Sequence, residues 1–389
     1  MTPAARLAAA IEVLDRMLAG TPVEPALTGW GRGNRFAGSG DRHAIRDLVF
    51  DALRCRRSHA ALGGGLTGRG LILGGLRAAG RDPADLFTGA GHAPAVVRPD
   101  ESGRVPEGAE ALDVPDWLVS PLQLALGVEF EATMQALRQR APVFLRVNLA
   151  RTSRAAAMAR LAEEGIATEP VSFVNTALQV TGNARKIKIS TPYLDGLVEL
   201  QDAASQAVVA LLDVTPGARV LDYCAGGGGK TLALAARGVV PDAHDISAAR
   251  LTGLTLRAAR AGAQVRIVQN PAKSAPYDLI LVDAPCSGSG SWRRDPQGKW
   301  ALTPDRLAEL LRLQSAILDR CVPLLQPGGV LAYATCSLLA AENEVQVTAF
   351  LTRHAGFRDL GQHRFSPLQG GDGFFGAMLT RDFIRPTQL

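Results

Sequence analysis

The chain has 389 residues, room for two or three domains, and its 47% apolar and 20% charged content is ordinary for a globular protein. Lysine and arginine outnumber acids only 42 to 37, a net charge of +5 that points mildly to an anionic partner and proves nothing about nucleic acid. Cys55, Cys224, Cys286, Cys321 and Cys336 are too few and too scattered for a disulfide scaffold, and no CxxC pair or Cys/His cluster reads as a metal site, so no metal is expected.

The first stretch, MTPAARLAAAIEVLDRML, is broken by Arg6, Glu12, Asp15 and Arg16, which is not the pattern of a signal peptide. No run of 18 apolar residues offers a membrane span, so a cytoplasmic protein with reduced thiols is expected. Leu7, Ile11, Leu14 and Leu18 recur at helical spacing, as do Ile45, Leu48, Val49 and Leu53, with Ser39 or Asp41 as a cap. Glycines predict a loop-rich segment over 60–80. Proline, glycine and charge predict an irregular linker over 83–115, before a further helix at 117–139. Residues 1–139 thus read as a helical domain with a Gly/Pro-rich linker. Residues 140–202 read as a small α+β domain: VFLRVNL (143–149) alternates as a strand, a helix follows and ends at Gly165, and ALQVTG and RKIKIS are short strands.

From 203 to 389 strands and helices alternate. ARVLDYC, DAHDIS, VRIV, YDLILVD, GVLAYAT and a stretch near FFGAML read as strands. KTLALAAR, Ser247 to Gly262, the segment from Thr303 with Pro304 in its first turn, and ENEVQVTAFLTR read as helices. The alternation predicts an α/β fold with a mostly parallel, doubly wound sheet.

LDYCAGGGGKT (221–231) falls between a predicted strand and a predicted helix, where backbone amides can cradle a ligand. It is not a P-loop, since Cys224 stands where that motif needs glycine, and it fits the dinucleotide fingerprint poorly. Asp245, on the next strand, can accept both hydroxyls of a ribose, so a nucleoside-bearing cofactor is favoured over a plain tight turn with Asp245 as a helix cap. Cys286 and Cys336 each follow a strand at the carboxyl edge of the sheet, where open α/β folds bind ligands. Asp283 precedes the first of them. A single cysteine is usually a small buried hydrophobe, and Cys55 and Cys321 read that way. Two thiols and a carboxylate converging beside a cofactor loop read as reagents, with Cys224 lining the loop; a redox pair would lack the CxxC arrangement.

CAGGGGKT, DAPCSGSG, RRDPQGKW, YATCSLLAAENE and DGFFGAML, in that order across residues 140–389, resemble the bacterial Sun/RsmB family of RNA cytosine-5 methyltransferases. DRHAIRDLVFDALRCRR, in the N-terminal helices, looks like the NusB-like RNA-binding domain of some members. The resemblance implies a Rossmann-like, S-adenosylmethionine-dependent methyltransferase domain over 203–389. The loop Cys224, Ala225, Gly226, Gly227, Gly228, Gly229 and Lys230 would hold the methionine portion of the cofactor, and Asp245 its ribose. Arg250 would belong to the same site, with Asn270 and Asp283 near the adenine and the methyl group. The resemblance also makes Cys336 the nucleophile, Cys286 an aid to product release, and Lys230 and Asp283 supporting groups. Two departures stand out: the family pattern is CAAPGGKT, with alanine and proline where this chain has Gly226 and Gly227, and aspartate where it has Asn270. Reduced cofactor affinity is expected from them at most.

The residues suit that chemistry. Carbon 5 of cytosine is a poor nucleophile until a thiolate adds to carbon 6, and the base must be splayed out, so the expected partner is single-stranded RNA or a flipped base. Expected RNA contacts are Arg146, Arg293, Arg294 and Lys299, with Trp292 and Trp300 nearby. The expectation is a monomer acting on 16S ribosomal RNA. A transfer RNA target, or a non-catalytic assembly factor with a decayed site, stays open.

Overall fold

The protein is described here by a computed structural model covering residues 1–381. It divides into two compact units, one of Met1–Arg140 with Trp292–Ala301, the other of Ala141–Ser291 with the chain from Leu302 onward.

The first unit is helical. Helices Pro3–Leu18, Val23–Gly33, Ser39–Arg54, Arg56–Gly63 and Gly68–Ala78 enclose Leu7, Leu14, Trp30, Ile45, Val49, Leu53, Leu71 and Leu73. The Asp41 carboxylate reaches back to the Gly38 amide at 3.3 Å and closes the start of its helix. The glycine-rich 60–80 segment, expected as loop, forms two of these helices. Its glycines serve contact between backbones: a Cβ on Gly63 would stand 1.7 Å from the Gly70 carbonyl oxygen, and one on Gly74 1.9 Å from that of His59. Residues 83–115 are irregular, as expected, and are tied down at Asp113. That buried carboxylate accepts from the Arg57 and Ser58 amides and the Ser58 hydroxyl, and pairs with Arg138 at 2.8 Å.

Trp292–Ala301 sits in this unit, against helix Ser39–Arg54. Lys299 Nζ donates to the Arg54 carbonyl at 3.1 Å, Trp300 Nε1 to that of Leu53 at 2.7 Å, and Arg54 Nε to that of Arg293 at 2.7 Å. Lys299 and Trp300 thereby cap the carboxyl end of that helix.

The second unit holds two sheets. β1 (Val143–Val147), β2 (Thr168–Pro170), β3 (Ala177–Val180) and β4 (Val198–Leu200) form an antiparallel sheet in the order β2-β3-β1-β4. RKIKIS, expected as a strand, is a 3-10 turn: Ile187 is buried but Ile189 is exposed, so its alternation marks no buried face.

β5 (Val220–Asp222), β6 (Asp242–Ala243), β7 (Arg266–Ile267), β8 (Tyr277–Asp283), β9 (Leu325–Thr335), β10 (Phe357–Phe365) and β11 (Phe374–Arg381) form a seven-stranded sheet in the order β10-β11-β9-β8-β5-β6-β7. Pairings from β7 through β9 are parallel, and β11 and β10 add antiparallel strands at one edge. The expected α/β class holds. β10 escaped the sequence reading because it is an edge strand with mostly exposed residues. The chain steps outward from β5 to β6 to β7, then returns to the other side of β5 as β8. The carboxyl ends of β5 and β8 therefore border the crevice where this architecture takes ligands.

Gly74→Ala is expected to destabilise the helical unit by about 2 kcal/mol or more, because backbone rather than a side-chain tip must give way. Thermal unfolding followed by circular dichroism checks this, and an unchanged midpoint would contradict the close helix contact.

Candidate active site

The glycine loop leaves β5 and enters helix Gly229–Ala235. Gly226 adopts φ +52, a left-handed conformation that favours glycine, and donates its amide to Asp245 Oδ2 at 2.9 Å. Asp245 also accepts from the Ser247 amide at 2.9 Å and pairs with Arg250 at 3.2 Å. A cavity of about 260 Å³ opens against the loop. Cys224, Ala225, Gly226, Gly227, Gly229, Lys230, Arg250 and Asp283 line it, joined by Gln201, Ser205, Asp222 and Pro285, which sequence reasoning did not assign to the cofactor site.

Asp222 is fully buried. Its Oδ2 accepts from the Thr231 hydroxyl at 2.6 Å, while Oδ1 has no hydrogen-bond partner among the described residues. Burial pushes its carboxyl up to about 7. An orphaned acceptor on a cavity wall is the kind of group that an amine-bearing ligand satisfies.

Across the cavity, Lys230 Nζ donates to Asp283 Oδ2 at 2.7 Å and lies 4.7 Å from the Phe374 ring centroid. Burial disfavours the Lys230 ammonium, but the Asp283 charge and hydrogen bond outweigh it and hold its pKa above the usual lysine value. β8 and β9 run parallel, with Asp283 opposite Ala334, so the loops that follow them emerge side by side. The Cys286 and Cys336 sulfurs meet there at 3.4 Å, well beyond the roughly 2.05 Å of a disulfide, and both thiols are free. The hydrogen bond with Cys336, reinforced by burial, pushes the Cys286 thiol well above its ordinary value, so it keeps its proton.

A polar network fixes this meeting. Glu342 is fully buried and accepts from the Ser287 amide at 2.8 Å, the Gln314 amide at 3.0 Å and the hydroxyls of Ser287 and Ser337. Ser289 accepts from the Leu338 amide at 2.8 Å, and Asn343 joins Thr335 to the Ser337 carbonyl. Sequence reasoning quoted YATCSLLAAENE for its cysteine and passed over Glu342 and Asn343. Their signal was present: two polar side chains close behind a buried strand.

Residues 209–379 match the family model described as 16S rRNA methyltransferase RsmB/F, and 114–186 match an RsmF/B-like ferredoxin-like domain. The chain is 36% identical over 286 residues to ribosomal RNA small subunit methyltransferase B of Serratia proteamaculans, an overlap of 69% of this chain and 66% of that one. With the protein of the same name from Xylella fastidiosa it shares 35% over 309 residues, covering 74% and 72%. The chain belongs to the RsmB/F methyltransferase family. A crystal structure of a methyltransferase homolog protein from Pyrococcus horikoshii is similar with a TM-score of 0.63 at 26% identity, over 71% of this chain and 97% of that one.

For an RsmB/F methyltransferase the cofactor is S-adenosylmethionine, and the cavity at the glycine loop fits it: the loop and the Asp222 side chain line its walls, while Asp245, expected at the ribose, lies outside the lining and holds the loop through the Gly226 amide. Gly228 supports the loop from outside the cavity, where a Cβ would stand 2.2 Å from Leu254 Cδ1. Asn270 is exposed and outside the cavity lining. Its Oδ1 accepts from the Ala272 amide at 3.0 Å and caps a turn. Of the expected RNA contacts, Arg146 is only 4% exposed and donates to Gln201 at 2.7 Å. Arg293 and Lys299 are buried in the helical unit, where burial pulls Lys299 down to about 8. Buried cations are poor phosphate ligands, and Arg146 and Lys299 are already bonded within the protein, whereas Arg294 is exposed. Among the described residues no helix is long and apolar enough to cross a membrane, and no group of three or more His, Cys, Asp and Glu side chains is placed to hold a metal.

Two outcomes follow from these interactions. Asp222 has a folded pKa of about 7, above the 3.8 of an ordinary aspartate, so its contribution to stability is full below that ordinary value and is lost as pH rises toward 7. Asp222→Asn should therefore flatten the fall in unfolding midpoint between about pH 4 and 7, the window that separates those two values. Equal slopes in calorimetry would contradict the shift. Glu342→Gln sets an amide against converging donors and should cost about 2 kcal/mol in denaturant unfolding. It should also speed iodoacetamide labelling of Cys286 and Cys336, and unchanged labelling would separate the network from the thiols.

Proposed function

We propose that this protein transfers a methyl group to carbon 5 of a cytosine in small-subunit ribosomal RNA, through a covalent bond between Cys336 and carbon 6 of the base. The observation that carries this reading is the pair of free thiols 3.4 Å apart, beside the Lys230–Asp283 ion pair and the cofactor cavity. One thiol would suffice for a DNA-type mechanism. Two suit a division of labour between attack and release. The names of the curated relatives support ribosomal RNA as the substrate.

S-adenosylmethionine, when bound, supplies an electrophilic methyl. The Cys336 thiolate adds to carbon 6 and turns the ring into an enamine, so that carbon 5 gains the electron pair it needs. Asp283 accepts from the amino group of the base, and the Lys230 ammonium paired with it offsets the negative charge that develops on the ring. A water beside Cys286 takes the proton from carbon 5 after transfer, because the Cys286 thiol keeps its own. The electrons of that C–H bond restore the ring double bond and expel Cys336 as thiolate. The high pKa of Cys286 keeps a proton beside the leaving sulfur, where it stabilises the departing charge.

The test incubates wild type, Cys286→Ala and Cys336→Ala with cofactor and total cellular RNA, followed by denaturing electrophoresis. A protein–RNA adduct that survives in Cys286→Ala alone is expected, and sequencing the trapped RNA names the target. An adduct in Cys336→Ala would reverse the roles. No adduct in any variant, with no methyl transfer by wild type, would replace the enzyme with a non-catalytic RNA-binding protein.

A further inference from the structure

Gly226 and Gly227 are adjacent residues without Cβ in the loop that must hold the cofactor, a backbone that would be loose on its own. The structure shows each held by an arginine. Arg250 pairs with Asp245, which in turn accepts the Gly226 amide. Arg257, on helix Leu254–Ala261, donates from Nη1 to the Gly227 carbonyl. The same side chain lies 3.4 Å from Glu199 Oε2 on β4, an oxygen that also accepts from Arg260 at 2.7 Å. Arg260 is steadied in turn by the Tyr193 ring, 4.1 Å from its guanidinium carbon. Glu199, largely buried, is thus the anchor of a two-arginine clamp. Arg257 does not line the cofactor cavity, so its reach to the site runs through the loop.

A second observation ties Arg257 to this glycine. Among the described residues, a Cβ placed on Gly227 would meet one atom within 4 Å, Arg257 Nη1, at 3.2 Å. The guanidinium occupies the space that a side chain at 227 would take. The arginine and the bare backbone are therefore complementary: one supplies from outside the restraint that the other lacks.

We propose that Arg257 is a positioning residue for S-adenosylmethionine, tying the Gly227 carbonyl to Glu199 so that the small antiparallel sheet sets the shape of the glycine loop. The inference rests on the cofactor reading alone and not on the cytosine chemistry. It assigns a cofactor-affinity role to a residue of the small sheet, Glu199, that does not line the cofactor cavity.

Titration calorimetry with S-adenosylmethionine tests it on the full-length protein, using wild type, Arg257→Ala, Glu199→Gln, Gly227→Ala and the double variant Arg257→Ala/Gly227→Ala. Loss of a charged hydrogen bond to the loop should raise Kd about tenfold in Arg257→Ala. Loss of the partly exposed anchor pair should raise it about threefold in Glu199→Gln. Methyl transfer at saturating cofactor should stay within about twofold in both, so the change falls in KM and not in kcat. The decisive readout is the sign of Gly227→Ala. In wild type the new methyl pushes Arg257 away and weakens binding, whereas in Arg257→Ala it stiffens a free loop and recovers about two- to threefold. The same sign in both backgrounds, or a Kd unchanged in Arg257→Ala, overturns the proposal. If Arg257→Ala fails to fold, Arg257→Lys replaces it: the charge is kept but the fork is lost, and a Kd between those of wild type and Glu199→Gln, or equal to wild type, would overturn the proposal, since the fork is what reaches loop and anchor together. Failure of wild type itself to bind would instead refute the cofactor reading.

Discussion

Buried and almost surrounded by donors, Glu342 is the point on which the reactive part of the molecule depends. Its two oxygens accept from both cysteine loops at once, from Ser287 after β8 and Ser337 after β9, and from Gln314 on helix Pro304–Cys321. The parallel pairing of β8 and β9 brings the loops alongside, but a sheet sets only where strands end. Loops need their own restraints, and in a low-dielectric interior hydrogen bonds to a carboxyl are strong and costly to leave unmade. The sulfur–sulfur distance of 3.4 Å is a consequence of that network.

The cofactor side depends on charge in the same way. Asp245 stitches the glycine loop to the turn after β6, and Lys230 ties the loop's helix to Asp283 at the end of β8. Buried ion pairs of this sort add little net stability, because desolvation offsets attraction. Their use here is geometric: each side chain is committed to one partner and one orientation before any ligand arrives. Asp222 is the exception, with one oxygen left without a partner among the described residues.

Glycine plays opposite parts in the two units. In the helical unit Gly63 and Gly74 let backbones touch, and their lack of a side chain is itself the packing. In the cofactor loop Gly226 and Gly227 free the backbone for a turn, and neighbouring arginines then limit that freedom. Composition cannot tell these uses apart, which is why residues 60–80 read as loop and proved helical.

The sequence by itself determined the α/β alternation, the strands that carry Asp222, Asp283 and Thr335, and the placement of both thiols and the glycine loop just beyond strand ends. These are local matters, set by periodicity and by glycine and proline punctuation, so they survive without knowledge of distant neighbours. Tertiary structure alone decided which side chains were free to act. Arg293 and Lys299 look in sequence like phosphate ligands, yet they are buried in the helical unit, where Lys299 and the Arg293 carbonyl bond to Arg54, and Arg146 is committed to Gln201. Asn270 looks like a base contact and is spent on a turn. Glu342 and Arg257, which the sequence reading passed over, bond to the cysteine loops and to the glycine loop. The reason is common to all of them: a polar side chain's role depends on which donor or acceptor the fold brings within about 3 Å, and most of those partners lie tens of residues away in the chain.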